Sequence, residues 1–211
     1  MRDITEYIKE SIKPLKANHK GIIVFDIDDT LLKVNGSLMR VYKRKPGEPE
    51  IALSTNEYAK DPDAENHREW FDYRDFKDEQ KVYQSIITGS PMVKNLKILN
   101  AYVNAGYDFC FLTARGCEKV IKDALDKFLS ISTRKGVMDN IGNAYKKALS
   151  HAVNDSYKKY KGENDCDKKA NVLKELCKKY TNVVFVDDDK KNIYAARALH
   201  LKNLKIIKAW D

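Results

Sequence analysis

The stretch Gly21-Ile22-Ile23-Val24-Phe25-Asp26-Ile27-Asp28-Asp29-Thr30 decides how the rest of the chain is read. The apolar run Ile22 to Phe25 has no polar interruption and suits a strand buried on both faces, in the middle of a parallel sheet. Its aspartates then fall at the carboxyl end, where open α/β sheets place their ligands. Carboxylates crowded there repel one another, so something cationic belongs among them. A solvated turn also uses aspartate, so the reading needs partners from elsewhere in the chain. An EF-hand calcium loop begins with Asp-x-Asp but fails here. With Asp26 first, Leu31 stands where glycine is needed and Ser37 where the bidentate glutamate belongs.

Upstream, Ile4, Ile8 and Ile12 recur at helical spacing before Pro14, which predicts a short amphipathic helix. Downstream, Asn35-Gly36 between Leu31–Val34 and Ser37–Tyr42 predicts a hairpin springing from the acidic turn and placed to flap over it. Loops follow at Pro46-Gly47-Glu48-Pro49 and Asp61-Pro62-Asp63. His67, Arg68, Trp70, Phe71, Tyr73, Arg74 and Phe76 form an aromatic, charge-interleaved patch. It reads as a small accessory core, as a substrate cover that stacks on a ring or base, or as both.

From Pro91 the pattern becomes regular. A helix started by Pro91 carries Leu96, Leu99 and Val103 and stops at Gly106. A strand, Tyr107 to Leu112, ends at Thr113-Ala114-Arg115-Gly116, and a helix spans about Glu118 to Leu129. Ile141, Tyr145, Leu149 and Val153 predict a largely helical stretch from Val137 to Tyr160. A helix opening at Lys168-Lys169 leads to the strand Val183–Val186, which ends in Asp187-Asp188-Asp189. A helix from Lys191 to Leu199 and a last strand, Leu204 to Ile207, close the chain. Strands alternating with helices mean an α/β fold with a parallel sheet.

Composition sets outer bounds. With 211 residues, 43% apolar and 33% charged, the chain suits one domain or a core with an insertion. No apolar run approaches the roughly 18 residues of a membrane span, and Met1 to Glu6 lacks a signal-peptide core. The expected location is the cytoplasm. Cys110, Cys117, Cys166 and Cys177 are scattered without a Cys-x-x-Cys pair, so reduced thiols are expected rather than zinc ligands or disulfides. The net charge of +8 draws anions such as phosphate esters, nucleotides or nucleic acid. Much of that excess lies on lysine-rich stretches that also read as solvated faces.

Asp26/Asp28, Thr113 and Asp187/Asp188 thus end separate strands, and in a parallel sheet all those ends share one edge. This ordered set resembles the haloacid dehalogenase-like (HAD) phosphohydrolases. Their Asp-x-Asp-x-Thr motif is matched by Asp26, Asp28 and Thr30, their strand-ending Thr or Ser by Thr113, and their paired acids by Asp187 and Asp188. Their lysine is best matched by Lys169, because Leu173 lies one helical turn on, with Lys168 as the alternative. The resemblance implies a Rossmann-like core over 1–30 and 91–211, and a cap insertion over 31–90. The hairpin and insertion also resemble HAD proteins encoded by bacteriophages, which would place the protein in an infected bacterial cell.

What the resemblance implies chemically is a magnesium-dependent phosphatase. Asp26 would be nucleophile and metal ligand, and Asp28 the general acid and base that lends its backbone carbonyl to the metal. Asp188 would complete the ligands, with Asp187 beside it, while Thr113 and Lys169 hold the transferring oxygens. Thr30, Arg115 and Trp70 are the candidate substrate-binding residues. Asn192 stands where some relatives carry an acid and would act by hydrogen bonding. Expected substrates are a nucleotide or a phosphorylated nucleic-acid end, with a small phosphorylated metabolite as the alternative. A different class of reading is a basic nucleic-acid-binding or virion-associated protein with a vestigial site. No membrane partner is expected, and the oligomeric state is open.

Overall fold

The structure is a computed structural model that describes residues 3–16, 18–34, 38–136 and 145–210. β1 (Gly21–Phe25) is the middle strand of a five-stranded sheet. On one side it pairs with β7 (Asp108–Thr113) and, beyond it, β8 (Leu149–Ala152). On the other side lie β9 (Asn182–Asp187) and β10 (Leu204–Lys208). All of these pairings are parallel, so every strand ends at the same edge.

The apolar run of β1 is explained by what covers it. Ile23 and Phe25 belong to one core, with Phe109, Phe111, Val184 and Val186. Ile22 and Val24 point the other way, into a second core with Cys110, Leu112, Val183 and Phe185. Alternate residues of each strand are therefore buried on opposite faces, as a sheet covered by helices on both sides requires. The first core takes its helical half from α4 (Val93–Asn104) through Leu96 and Leu99, and from α5 (Glu118–Arg134) through Ile121, Leu125 and Phe128. The second takes Val172, Leu173 and Leu176 from α6 (Asp165–Lys179) and Ala196 from α7 (Lys190–Ala198). The architecture is thus α/β and Rossmann-like. Among the described residues no helix is long and apolar enough to cross a membrane.

Residues 34–89 hang from a narrow stem. β2 (Leu32–Lys33) pairs antiparallel with β6 (Ser90–Pro91), Leu32 opposite Pro91. Within the insertion, β3 (Arg40–Lys43) pairs with β4 (Ile51–Ser54) and β5 (Phe71–Asp72), and α2 (Thr55–Ala59) follows with a capping box between Ser54 and Glu57. Its last helix, α3 (Glu79–Ile87), sends Val82 and Ile86 into the main core. α1 (Ile4–Ser11) is the expected leading helix.

Three expectations change. The Asn35-Gly36 turn lies outside the described residues, and its flanks do not pair with each other: β2 joins β6 and β3 joins β4 and β5. Turn chemistry permits a hairpin, but the burial of Leu32 and Val41 against different partners decides the pairing. The helix expected over Val137–Tyr160 is not what stands in its described part. Leu149–Ala152 is an edge strand, because the open hydrogen-bonding edge of β7 outweighs a weak four-residue spacing; Ile141 lies outside the described residues. Pro91 belongs to the stem, and α4 starts only at Val93.

Candidate active site

The acidic loop is set by backbone bonds. Asp26 N–H donates to Val186 O at 3.0 Å, carrying the β1–β9 pairing one residue past the strand and setting Asp26 beside Asp187. The chain then makes one helical turn, with Leu31 N–H donating to Ile27 O at 2.9 Å. Asp29 takes a left-handed φ of 50°, a conformation aspartate tolerates better than most residues. Asn95, fully buried on α4, pins this turn by donating to Thr30 O at 2.9 Å.

Lys169 comes up from below. Asn164 caps α6 by accepting from Asp167 N–H at 3.0 Å, and Lys169 sits on the same buried face as Leu173. Its Nζ donates to Asp26 Oδ1 at 2.7 Å and to Asp187 Oδ2 at 3.0 Å. Lys169, not Lys168, therefore meets the acids; Lys168 Nζ instead donates to Asn154 Oδ1 at 2.7 Å. Asp187 is wholly buried and also accepts from Asn192 Nδ2, at 3.0 and 3.1 Å, so Asn192 orders the acids by hydrogen bonding. Asp188 Oδ1 accepts from Thr30 Oγ1 at 3.0 Å.

Asp26, Asp187 and Asp188 present ligand oxygens that all lie within 4.8 Å of one another. Three carboxylates face one lysine, which leaves the cluster with a net negative charge. Burial raises the Asp26 carboxyl well above the usual carboxylate range, Lys169 opposes this, and the charges on Asp187 and Asp28 add to it. Burial and then the Asp187 charge push Asp188 up to about 6, against the pull of the Thr30 hydrogen bond. Burial works against the Lys169 ammonium, but Asp26 and Asp187 outweigh it and hold the lysine charged. An all-oxygen donor set with uncompensated charge fits a hard divalent cation such as magnesium, which takes few carboxylates and keeps room for water and phosphate oxygens.

Asp28 is built differently. Arg115 Nη2 donates to its Oδ1 at 2.6 Å and Nε to its Oδ2 at 2.9 Å. Arg115 is 1% exposed, and its Nη1 donates to Ser85 Oγ of α3 at 2.7 Å. Asp26, Asp28, Asp188 and Lys169 line a cavity of about 750 Å³ whose other walls come from the insertion and from the segment between β8 and α6. These walls meet at Gly116, whose N–H donates to Phe76 O at 3.2 Å. A Cβ on Gly116 would stand 3.2 Å from Asn154 O and 3.5 Å from Phe76 O, so only glycine fits there without displacement.

The three residues expected to bind substrate are placed elsewhere. Arg115 is spent on Asp28 and Ser85, and Thr30 is fully buried against Asp188. Trp70 stacks on His67, with centroids 3.8 Å apart and rings 4° from parallel, and is not on the cavity wall. Thr113 is also fully buried, and its Oγ1 accepts from Arg115 N–H at 3.2 Å. The aromatic patch reaches the cavity through Tyr73 and Phe76, with Tyr58 of α2 joined to Tyr73 by a 2.8 Å bond between hydroxyls. Tyr58, Asn154 and Tyr160 were invisible as site residues, since nothing in their local sequence marks the cavity they line.

No protein-family model matches the chain, and its sequence matches no curated protein. The meaning of the site therefore rests on its geometry and on the order of its motifs.

Proposed function

We propose that the protein is a magnesium-dependent phosphomonoester hydrolase of the HAD type, with residues 34–89 serving as its cap. The observation that carries this reading is the meeting of Asp26, Asp187 and Asp188 oxygens within 4.8 Å, with Asp26 and Asp188 lining a cavity and Asp187 buried beside them. Lys169, 2.7 Å from Asp26, supports it. Asp26, Asp187 and Asp188 would hold the metal, with the Asp28 backbone carbonyl as a further ligand by resemblance. Bound magnesium would offset the repulsion between the Asp26 carboxylate and an incoming phosphate dianion.

Asp26 Oδ attacks phosphorus as the bond to the ester oxygen breaks, giving an aspartyl-phosphate. The leaving oxygen takes its electron pair and a proton from Asp28. Water then attacks the same phosphorus and gives a proton back to Asp28; the P–Oδ bond breaks, releasing inorganic phosphate and restoring Asp26. Lys169 holds Asp26 in place and sets a fixed positive charge beside the transferring oxygens.

The test is turnover of p-nitrophenyl phosphate with and without magnesium. The expected result is metal-dependent hydrolysis that Asp26→Asn abolishes while the circular dichroism spectrum is unchanged. Hydrolysis that survives in Asp26→Asn, or its absence from the folded wild type, overturns the proposal.

A further inference from the structure

We infer that the substrate is the phosphorylated end of a single nucleic-acid strand, an inference that rests on the hydrolase reading above and names its leaving group. A phosphoryl group fills a small part of a cavity of about 750 Å³, a volume toward the upper end of sites that enclose whole ligands, roughly 300 to 1,000 Å³. The leaving group is therefore bound as well, and the walls state its chemistry. Tyr73 and Phe76 line the cavity from the insertion side, and Arg68 stands over the Tyr73 ring with its guanidinium carbon 6.0 Å from the centroid. Such surfaces stack on bases without selecting among them.

The charges at the mouth decide between a mononucleotide and a strand. Lys77, just before α3 in the insertion, and Lys159, in the segment before α6, both line the cavity and are exposed. Neither meets an acidic partner among the described residues. Of the acids on the same walls, Asp155 accepts from the amides of Glu118 and Tyr157 at 2.7 and 2.8 Å, and Asp189 caps α7 by accepting from Lys191 N–H at 2.8 Å. Asp165 takes Asn154 Nδ2 at 3.0 Å and lies 3.7 Å from Arg68. Two lysines without an acidic partner among the described residues, one from the insertion and one from the segment before α6, suit an anion outside the scissile group, which a mononucleotide lacks and an internucleotide phosphate supplies.

The loop that carries Lys159 adds a second feature. Asp155 anchors its start, Lys158 pairs with Glu118, and Tyr160 Oη donates to Glu118 Oε2 at 3.3 Å. Between these anchors Tyr157 is left 93% exposed, directly beside the lysines. An aromatic held in solvent next to cations, on a protein of net charge +8, is a stacking platform for the next base of a strand.

The experiment compares p-nitrophenyl phosphate, nucleoside 3′- and 5′-monophosphates, trinucleotides carrying the same terminal phosphates, a phosphoserine peptide and a sugar phosphate, all with magnesium. The expected kcat/KM for a 3′- or 5′-phosphorylated trinucleotide exceeds that of its mononucleotide at least tenfold, and the advantage shrinks as salt rises. Charge reversal in Lys77→Glu/Lys159→Glu cuts that ratio about tenfold, and Tyr157→Ala cuts it severalfold. Equal rates for mononucleotide and trinucleotide, preference for the peptide or sugar phosphate, or a ratio unmoved by these variants overturns the inference while leaving the hydrolase reading intact. Absence of turnover with every ester, p-nitrophenyl phosphate included, removes both.

Discussion

Arg115 grips Asp28 with both arms of its guanidinium, at 2.6 and 2.9 Å, from a position that is itself 1% exposed. Its third contact, Ser85 Oγ at 2.7 Å, belongs to the insertion's last helix, so one side chain joins the acidic turn, the end of β7 and the insertion. A residue expected to bind substrate instead aims the proposed acid and base. Lysine keeps the charge but loses the planar fork. Arg115→Lys is expected to lower kcat for p-nitrophenyl phosphate by about 10- to 100-fold with little change in KM. Ser85→Ala leaves Nη1 only the Val82 carbonyl at 3.4 Å and should cost about 1 kcal/mol in urea unfolding.

The proposed metal and pH would act on the same carboxylates. Asp188 titrates at about 6 in the folded protein against an ordinary 3.8. Between these values the folded state holds a proton that the unfolded chain has released, so this stabilisation is complete below about pH 4 and lost as pH rises through 6. The loss is no more than about 2 kcal/mol for a partly exposed group. Without metal, Asp188→Asn should therefore gain stability on wild type as pH goes from 4 to 7, read from urea midpoints. Magnesium at about 100 times its Kd should reverse the order at pH 7, adding about 2.7 kcal/mol to wild type and little to the variant. A Tm unmoved by magnesium would count against the metal site.

The sequence showed the sheet plainly because its central strands are buried on both faces, and the run Ile22–Phe25 has no other economical use. It also showed the floor of the site, because Asp26, Asp187 and Asp188 each sit at the end of such a strand. Lys169 was legible only through Leu173 one turn on. The rest depended on contacts distant in sequence. Arg115 reaches Asp28 across 87 positions, and Thr30 reaches Asp188 across 158. β8 was misread because an edge strand of Leu149, Ser150, His151 and Ala152 has no strong pattern of its own and is ordered by the edge of β7. The placement of Trp70 off the cavity wall was not legible, because an aromatic in a charged patch reads alike whether it faces a ligand or stacks on a neighbour such as His67.

The insertion has its own ionic centre. Lys43 is 6% exposed, with Nζ 2.6 Å from Asp61 and 2.7 Å from Asp63. Removing the lysine takes the ammonium from Asp61 and leaves Asp63 only Lys45, at 2.8 Å, so Lys43→Met is expected to open the insertion before the core. Limited proteolysis should then cut within 44–78 at denaturant levels where β1, β7 and β9 remain protected from hydrogen exchange. Cutting that begins equally in the core would show that the insertion is not a separate cooperative unit.

Gly116 joins two walls of the candidate site, since its neighbours are backbone carbonyls of two other segments. Backbone atoms give way less readily than side-chain ends, so even a methyl group must push the Asn154 carbonyl outward. That displacement moves the cavity wall between β8 and α6 and leaves Asp26 and Lys169 untouched on the floor. Gly116→Val should therefore destabilise by about 1–3 kcal/mol and raise KM for a large substrate more than it lowers kcat for p-nitrophenyl phosphate. The opposite split, with kcat falling alone, would place the damage at Arg115, one residue away, and show that the grip on Asp28 is what this glycine protects.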